Sequence, residues 1–295
     1  MSATVDPLIE NLIAEAGPRR RSITRDRAMT LARSPAFLIG LLVVLFWIVC
    51  AVFGQHLTPL DPYDDAGDTL LAPSADNWFG TDQLGRDIFS RVIVGARDIL
   101  TVAPLATILG TVVGTSIGLI TGYFGGWVDN LVSRVVEAVL ALPLIIVAIV
   151  ALVALGSSDW TVIISIGLAF SPIIARTVRT AVLGERHLDY VAAAQLRGDG
   201  PLWIMFREIL PNITGPILVE MTVRLGYAIF YVATLSFLGV GLQPPSPDWG
   251  LAISQSYGLL TGGYWWTVAF DALAIASLVV AVNLVADSLA GVFDE

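Results

Sequence analysis

Six long apolar segments alternate with polar connections along the 295-residue chain. Each segment is close to the roughly 20 residues that a helix needs to cross the hydrocarbon core of a bilayer. Arginines precede the first segment, as they do in a signal peptide, but the leading region of about 35 residues and the lack of a small-residue cleavage pattern after the segment favour an uncleaved anchor. The pattern therefore predicts an all-α integral membrane protein with six transmembrane helices, over residues 36–53, 99–122, 131–155, 160–180, 213–238 and 266–290.

Composition supports a membrane protein and excludes several kinds of site. Charged residues make up 14% of the chain, against about 25% in soluble domains. All 16 basic residues are arginine, so the chain lacks the lysine of a nucleotide-binding phosphate loop or a Schiff-base enzyme. One cysteine and two histidines do not suffice for a zinc site or a disulfide framework. We therefore expect no metal and no cofactor in this chain.

The distribution of arginine predicts the orientation in the membrane. Six arginines precede the first span, and such positive clusters stay on the cytoplasmic side. Six crossings then return the C-terminus to the cytoplasm. The predicted parts are a cytoplasmic N-terminal tail (1–35), a transmembrane domain (36–290) with outer loops at 54–98 and 239–265 and a cytoplasmic loop at 184–212, and a cytoplasmic C-terminus (291–295).

Glycine and proline recur inside the predicted spans. Four glycines at four-residue spacing form one helical stripe that permits close helix packing, within the subunit or across a dimer; a sliding surface for conformational change is the alternative. Prolines in four spans should each kink the helix. The glycines are Gly110, Gly114, Gly118 and Gly122, and the prolines are Pro104, Pro143, Pro172 and Pro216.

A few charged residues fall inside the spans, where they are candidates for function. Glu220 and Arg224 lie four residues apart, a spacing that allows an ion pair along the helix. Arg134 and Glu137, three apart, allow another. Binding of the charged ends of a peptide is the alternative for Glu220 and Arg224. Asp271 has no partner nearby in sequence, and it joins that pair as a possible residue of a translocation path.

The first outer loop ends in a charged stretch that is predicted to form an interfacial helix over about residues 84–99. Its charges are spaced for the pairs Asp82–Arg86 and Asp87–Arg91. The stretch could close an outer gate or receive a binding protein, or the pairs could serve only structure. These interpretations are compatible.

The 184–212 loop is predicted to form two short helices around a glycine elbow. The first runs from Gly184 to Arg197, and Pro201 opens the second at a position where its missing N–H is not needed. The second helix carries an apolar face, formed by Leu202, Trp203, Phe206, Ile209 and Leu210. Such a segment could be a docking site for another protein or a helix that lies on the lipid surface.

The 184–212 loop resembles the EAA loop of membrane subunits of ABC importers. Its matches to the family pattern are Ala193, Ala194, Gly198, Leu210 and Pro211. Ala192 replaces the family's glutamate, and Glu208 replaces an apolar residue or histidine. The resemblance implies an ATPase-coupling site formed by Asp189, Tyr190, Ala192, Ala193, Ala194, Arg197, Gly198, Leu210 and Pro211.

Other strings resemble the C-type membrane subunit of the dipeptide/oligopeptide/nickel permease family. They are WFGTDQLGRD at 78–87, GYFGG at 122–126, LSFLG at 235–239 and PPSPDWG at 244–250. The resemblance implies the ABC importer type I permease fold in a bacterial cytoplasmic membrane. It also implies a B-type permease partner in a heterodimer, two ATPase domains that bind ATP and Mg, and an external solute-binding protein, with no nucleic acid. The expected cargo is a dipeptide or oligopeptide, with nickel or another peptide-like solute as the family alternative; a self-contained channel or secondary carrier is the alternative outside the family.

Overall fold

The computed structural model describes residues 31–65 and 67–293, and this part of the chain is almost entirely helical. Most of the predicted N-terminal tail and the last two residues of the predicted C-terminus lie outside the described residues. The helices are α1 (Pro35–Leu57), α2 (Ile88–Phe124), α3 (Gly126–Leu140), α4 (Leu144–Leu155), α5 (Asp159–Glu185), α6 (Asp189–Leu196), α7 (Pro201–Trp203), a π-helical segment (Ile204–Ile209), α8 (Leu210–Asn212), α9 (Thr214–Phe237), α10 (Trp249–Ser256), a 3₁₀ segment (Tyr257–Gly262) and α11 (Trp266–Phe293).

Five of these helices, α1, α2, α5, α9 and α11, are long and apolar enough to cross a membrane. The third predicted span is instead divided into α3 and α4, which meet at an angle of 86°. Pro143 stands directly before α4, where its ring prevents α3 from continuing. The described residues thus contain five spans, or six if the bent pair is one. The all-helical membrane fold is confirmed.

Two predicted helix boundaries in the first outer loop and the 184–212 loop are wrong. α2 begins at Ile88 and continues without interruption to Phe124, so no separate interfacial helix covers residues 84–99. The helix predicted from Gly184 to Arg197 is interrupted, because α5 ends at Glu185 and α6 begins at Asp189. Pro104 and Pro172 lie inside continuous helices.

The glycine stripe of α2 lies against α5 of the same chain. A Cβ atom added to Gly110, Gly114 or Gly118 would lie only 2.7–2.8 Å from a carbonyl oxygen of α5. Those carbonyls also occur at four-residue intervals, at Gly167, Ser171 and Ala175. The matched spacing means that α2 and α5 run side by side in the same direction.

α1 and α11 pack together in opposite directions. The indole Nε1 of Trp47 donates to Ser277 Oγ at 2.9 Å, and Gly40, near the start of α1, lies against the carbonyl of Ala281. The start of α1 therefore lies beside the second half of α11. Both ends of the described chain consequently lie on one side of the bundle.

The loops of residues 54–98 and 239–265 meet on the opposite side, where α10 is inserted between the helices. The Trp249 side chain is fully buried and its indole Nε1 donates to Val92 O at 2.9 Å. Its ring packs edge-on against Trp47 with 4.7 Å between ring centroids. These contacts hold the second of the two loops against both α1 and α2.

Candidate functional site

The 184–212 loop follows α5 and is attached to the end of α2. Arg186 Nη1 donates to Gly122 O at 3.0 Å, which joins the start of the loop to the last turn of α2. The Tyr190 hydroxyl donates to Glu185 Oε2 at 2.6 Å. Burial, and secondly this hydrogen bond, raise the pKa of Tyr190 to about 12, so the hydroxyl stays protonated and can keep donating. The loop is thus linked to two of the long helices.

The elbow of the loop is a helix end that requires a left-handed residue. Gly198 has a φ of +82°, and its N–H donates to Gln195 O at 3.0 Å. The next N–H, of Asp199, donates to Ala194 O at 3.1 Å. This pair of bonds satisfies the last carbonyls of α6 and turns the chain sharply, and glycine adopts the required conformation without strain.

Arg197 joins the two halves of the elbow. Its Nη2 lies 2.8 Å from both Asp199 Oδ2 and Glu208 Oε1. Glu208 is one of the two residues that depart from the family pattern, and the structure gives it a partner within the loop. The opposite charges of Arg197 and Glu208 on either side of the glycine elbow could have indicated this pair. They are too far apart in sequence, however, for their spacing to predict it.

The apolar residues of the loop divide into a buried and an exposed set. The predicted face is wrong in part, because Ile209 is buried whereas Leu202, Trp203 and Phe206 are exposed. The π-helical segment shifts the residues that follow it around the helix axis, so that a 3.6-residue period does not describe the face. The buried set is Val191, Ala194, Ile204, Met205 and Ile209, and the exposed set, called here the apolar patch, is Leu196, Leu202, Trp203 and Phe206.

The other predicted coupling residues belong to the same loop. Asp189 begins α6, Ala192, Ala193 and Pro211 are exposed, and Leu210 is half-buried. Arg207 stacks on the Trp203 ring with its guanidinium carbon 5.1 Å from the ring centroid. The loop therefore presents a partly cationic, apolar surface that its buried set supports from behind.

The charged residues that precede α2 form a buried cluster. Asp82 and Arg86 make the predicted pair, with 2.7 Å between Oδ2 and Nη2. The predicted Asp87–Arg91 pair is wrong. Asp87 stands just before the first residue of α2, where its Oδ2 accepts from the Ser90 N–H at 2.8 Å, and a carboxylate bonded to the helix start does not reach one turn further.

Arg91 connects the two loops on this side of the bundle. Its Nη1 donates to Pro62 O at 3.1 Å and its Nη2 to Ser246 O at 3.3 Å. One buried guanidinium of α2 thus holds the connection between α1 and α2, and also the 239–265 loop, to α2.

Asp271 belongs to this cluster and not to Glu220 and Arg224. It is buried near the start of α11, and its Oδ1 has no hydrogen-bond partner in the described structure. A small cavity beside it is shared with Asp82, Arg86 and Arg91. The three residues predicted for a translocation path are therefore not brought together.

Glu220 and Arg224 form the predicted pair on α9, with 2.6 Å between Oε1 and Nε. Arg134 and Glu137 form no ion pair in the described structure and are both exposed, so that prediction is wrong. A different pair, Asp129–Arg179, joins α3 to α5 instead, with 2.6 Å between Oδ2 and Nη2. Sequence reasoning missed it because its members are 50 residues apart.

Comparisons with known proteins agree with this architecture. The model of the family described as "binding-protein-dependent transport system inner membrane component" matches residues 114–295. A second model, the "N-terminal TM domain of oligopeptide transport permease C", matches residues 22–73. The chain also resembles a chain of the inward-facing MetNI methionine ABC transporter, with a TM-score of 0.55 and 20% identity, covering 69% of this chain and 96% of that one. That likeness concerns the fold alone.

Curated relatives match over nearly their whole length. The di/tripeptide transport system permease protein DppC of Pseudomonas aeruginosa is 35% identical over 89% of this chain and 89% of its own. The dipeptide transport system permease proteins DppC of Bacillus subtilis and Escherichia coli K12 are 35% and 39% identical, over 92% and 89% of this chain and 86% and 89% of their own. The chain therefore belongs to the binding-protein-dependent ABC importer permeases, as a C-type inner membrane component of the dipeptide and oligopeptide group.

Proposed function

We propose that this chain is the C-type permease subunit of an ATP-driven importer of dipeptides and other short peptides. It forms the translocation path together with a B-type permease. The observation that carries the substrate class is the near full-length similarity to dipeptide permeases from three bacteria, at 35–39% identity. Nickel or another peptide-like solute is the alternative cargo within the group.

The 184–212 loop lies in the cytoplasm and receives an ATPase subunit on its apolar patch. Arginines at this end of the helix bundle support the orientation. Exposed apolar side chains grouped on one short loop are candidates for a protein interaction site, and the loop that carries them also has a buried apolar set and a glycine elbow. The ATPase subunits bind ATP and Mg and perform the hydrolysis, so this chain is not itself catalytic.

The opposite side of the bundle faces an external solute-binding protein. There, Arg91 holds the 54–98 and 239–265 loops together, with Asp82 and Arg86 beside it. An ion-paired cap of this kind suits an outer gate or a docking surface, because Asp82, Arg86 and Arg91 have partners within it when no binding protein is bound.

Co-purification tests the coupling role. Replacing Phe206, which is 50% exposed, with serine should reduce the amount of ATPase subunit recovered with the permease and should lower ATP-driven dipeptide uptake. A matched control is Leu60→Ser, at a similarly exposed leucine (45%) between α1 and α2 on the opposite side of the bundle. This variant should leave recovery of the ATPase unchanged. A permease that transports dipeptides without any ATPase subunit would instead be a self-contained carrier, and the proposal would be wrong.

A further inference from the structure

A cavity of about 230 Å³ lies where the bend between α3 and α4 meets α5 and α9. Most of its wall is apolar, formed by residues such as Leu142, Leu144 and Phe170. Its polar groups come from three residues of α9, namely Arg224, Tyr227 and Tyr231. Mostly apolar walls with a few convergent polar groups are typical of a small-molecule site.

The Arg224 guanidinium is only partly used by the protein. Its Nε donates to Glu220 Oε1 at 2.6 Å, and its guanidinium carbon lies 5.2 Å from the centroid of the Tyr227 ring. The two Nη groups donate to no other group in the described structure. The Arg224 side chain is 17% exposed, so these donors are neither sealed in the core nor free in bulk water.

The open donors of the Arg224 guanidinium are suited to binding a carboxylate. The planar fork of arginine binds carboxylates through two parallel hydrogen bonds. The hydroxyls of Tyr227 and Tyr231 make no hydrogen bond within the described residues and are further donors on the same wall. A charge inside a membrane span is costly unless it is paired or functional, and the pairing here leaves the carboxylate-binding donors of Arg224 open.

We propose that Arg224, with Tyr227 and Tyr231, forms a transient contact for the C-terminal carboxylate of a peptide as it crosses the membrane. The inference rests on the proposed function, since it takes the cargo to be a peptide. The cavity is smaller than the roughly 300–1,000 Å³ of sites that enclose a whole ligand, so it takes one end of the peptide. Competition from Glu220 keeps the contact weak, as passage requires, because a site on a transport path must also release its cargo.

The experiment compares a peptide with and without the carboxylate. The assembled importer, reconstituted in proteoliposomes with its binding protein in excess, is supplied with radiolabelled dialanine or with its C-terminal amide. Arg224→Gln should lower the ratio of carboxylate to amide uptake at least about tenfold, the effect of losing even one of the two charge-assisted hydrogen bonds of the fork. Any preference of the binding protein cancels, since the same binding protein serves every variant.

Glu220→Gln is the matched control. It removes the same ion pair but keeps the Arg224 donors, so the uptake ratio should stay at the wild-type value or rise. If both variants lower the uptake of both peptides by the same factor, the pair is only structural and the inference is wrong. Arg224→Lys, which keeps the charge without the fork, should give an intermediate ratio and decides the case if Arg224→Gln does not assemble. A wild-type importer that takes up neither peptide would refute the proposed function itself, whereas an active wild type with an unchanged Arg224→Gln ratio refutes only the carboxylate contact.

Discussion

Substitutions at Gly198 test the backbone conformation of the 184–212 loop without removing any of its polar or charged side chains. Its φ of +82° is in the left-handed region, and a Cβ added there would meet nothing within 4 Å. A side chain at this position therefore fits sterically, and the only cost is that of the backbone conformation. That cost is about 1–2 kcal/mol for a residue other than glycine.

Gly198→Val should accordingly disturb the elbow. A β-branched residue is poorly tolerated at positive φ, and a cost of about 1–2 kcal/mol changes the ratio of the native elbow to other conformations by roughly 5- to 30-fold. We expect ATP-driven dipeptide uptake and ATPase co-purification to fall, by at most a comparable factor. Membrane insertion, which depends on the apolar helices, should be unaffected.

Two control variants make the test specific. Gly198→Asn adds a polar side chain, but asparagine adopts the left-handed conformation readily, so most of the uptake should remain. Gly200→Ala changes a glycine two residues away whose φ of −70° suits any residue, and it should be nearly neutral. Equal losses for Gly198→Val and Gly198→Asn, or normal uptake by Gly198→Val, would refute the reasoning.

Two further predictions concern packing and pH. Gly114→Ala should lower stability by about 1–3 kcal/mol through overpacking, since its Cβ would lie 2.7 Å from Ser171 O. Gly184→Ala is the control and should not lower stability, because its Cβ would meet nothing within 4 Å. Thermal unfolding in detergent measures both variants, and equal unfolding midpoints would contradict the packing role of the stripe. Burial, with Asp98 adding repulsion, raises the pKa of Asp248 to about 7, above its unfolded value, so stability should fall as pH rises from about 4 to about 7. Asp248→Asn should flatten the dependence of the unfolding temperature on pH in this range, and an unchanged slope would assign the dependence to another group.

Local patterns predicted several features of the site. The Asp82–Arg86 and Glu220–Arg224 pairs both follow from a four-residue spacing, and the glycine elbow at Gly198 follows from the break between two helical patterns. These predictions depend on neighbours in sequence, for which spacing and geometry are closely linked.

Other features depended on where an element begins. Asp87 was expected to pair with Arg91, but it caps α2 because the helix starts at Ile88 instead of near residue 84. Likewise, the apolar face of the second loop helix was assigned with a regular period, and the π-helical segment at 204–209 changed which residues are exposed. A change of a few residues in where a helix starts, or of one residue in its period, moves a side chain from one role to another.

The sequence by itself determined the class of the protein, the number and position of its apolar segments, and the absence of the lysine that phosphate-loop chemistry requires. These properties follow from composition and period, which need no contacts between distant residues. The tertiary structure decided which distant groups meet: Arg197 with Glu208, Asp129 with Arg179, Asp271 with the cluster around Arg91, and Arg224 with the cavity at the α3–α4 bend. These contacts depend on how the helices pack side by side, as the glycine stripe of α2 packs against α5. The relative placement of two helices depends on the surfaces of both, so the sequence of either one alone does not determine it.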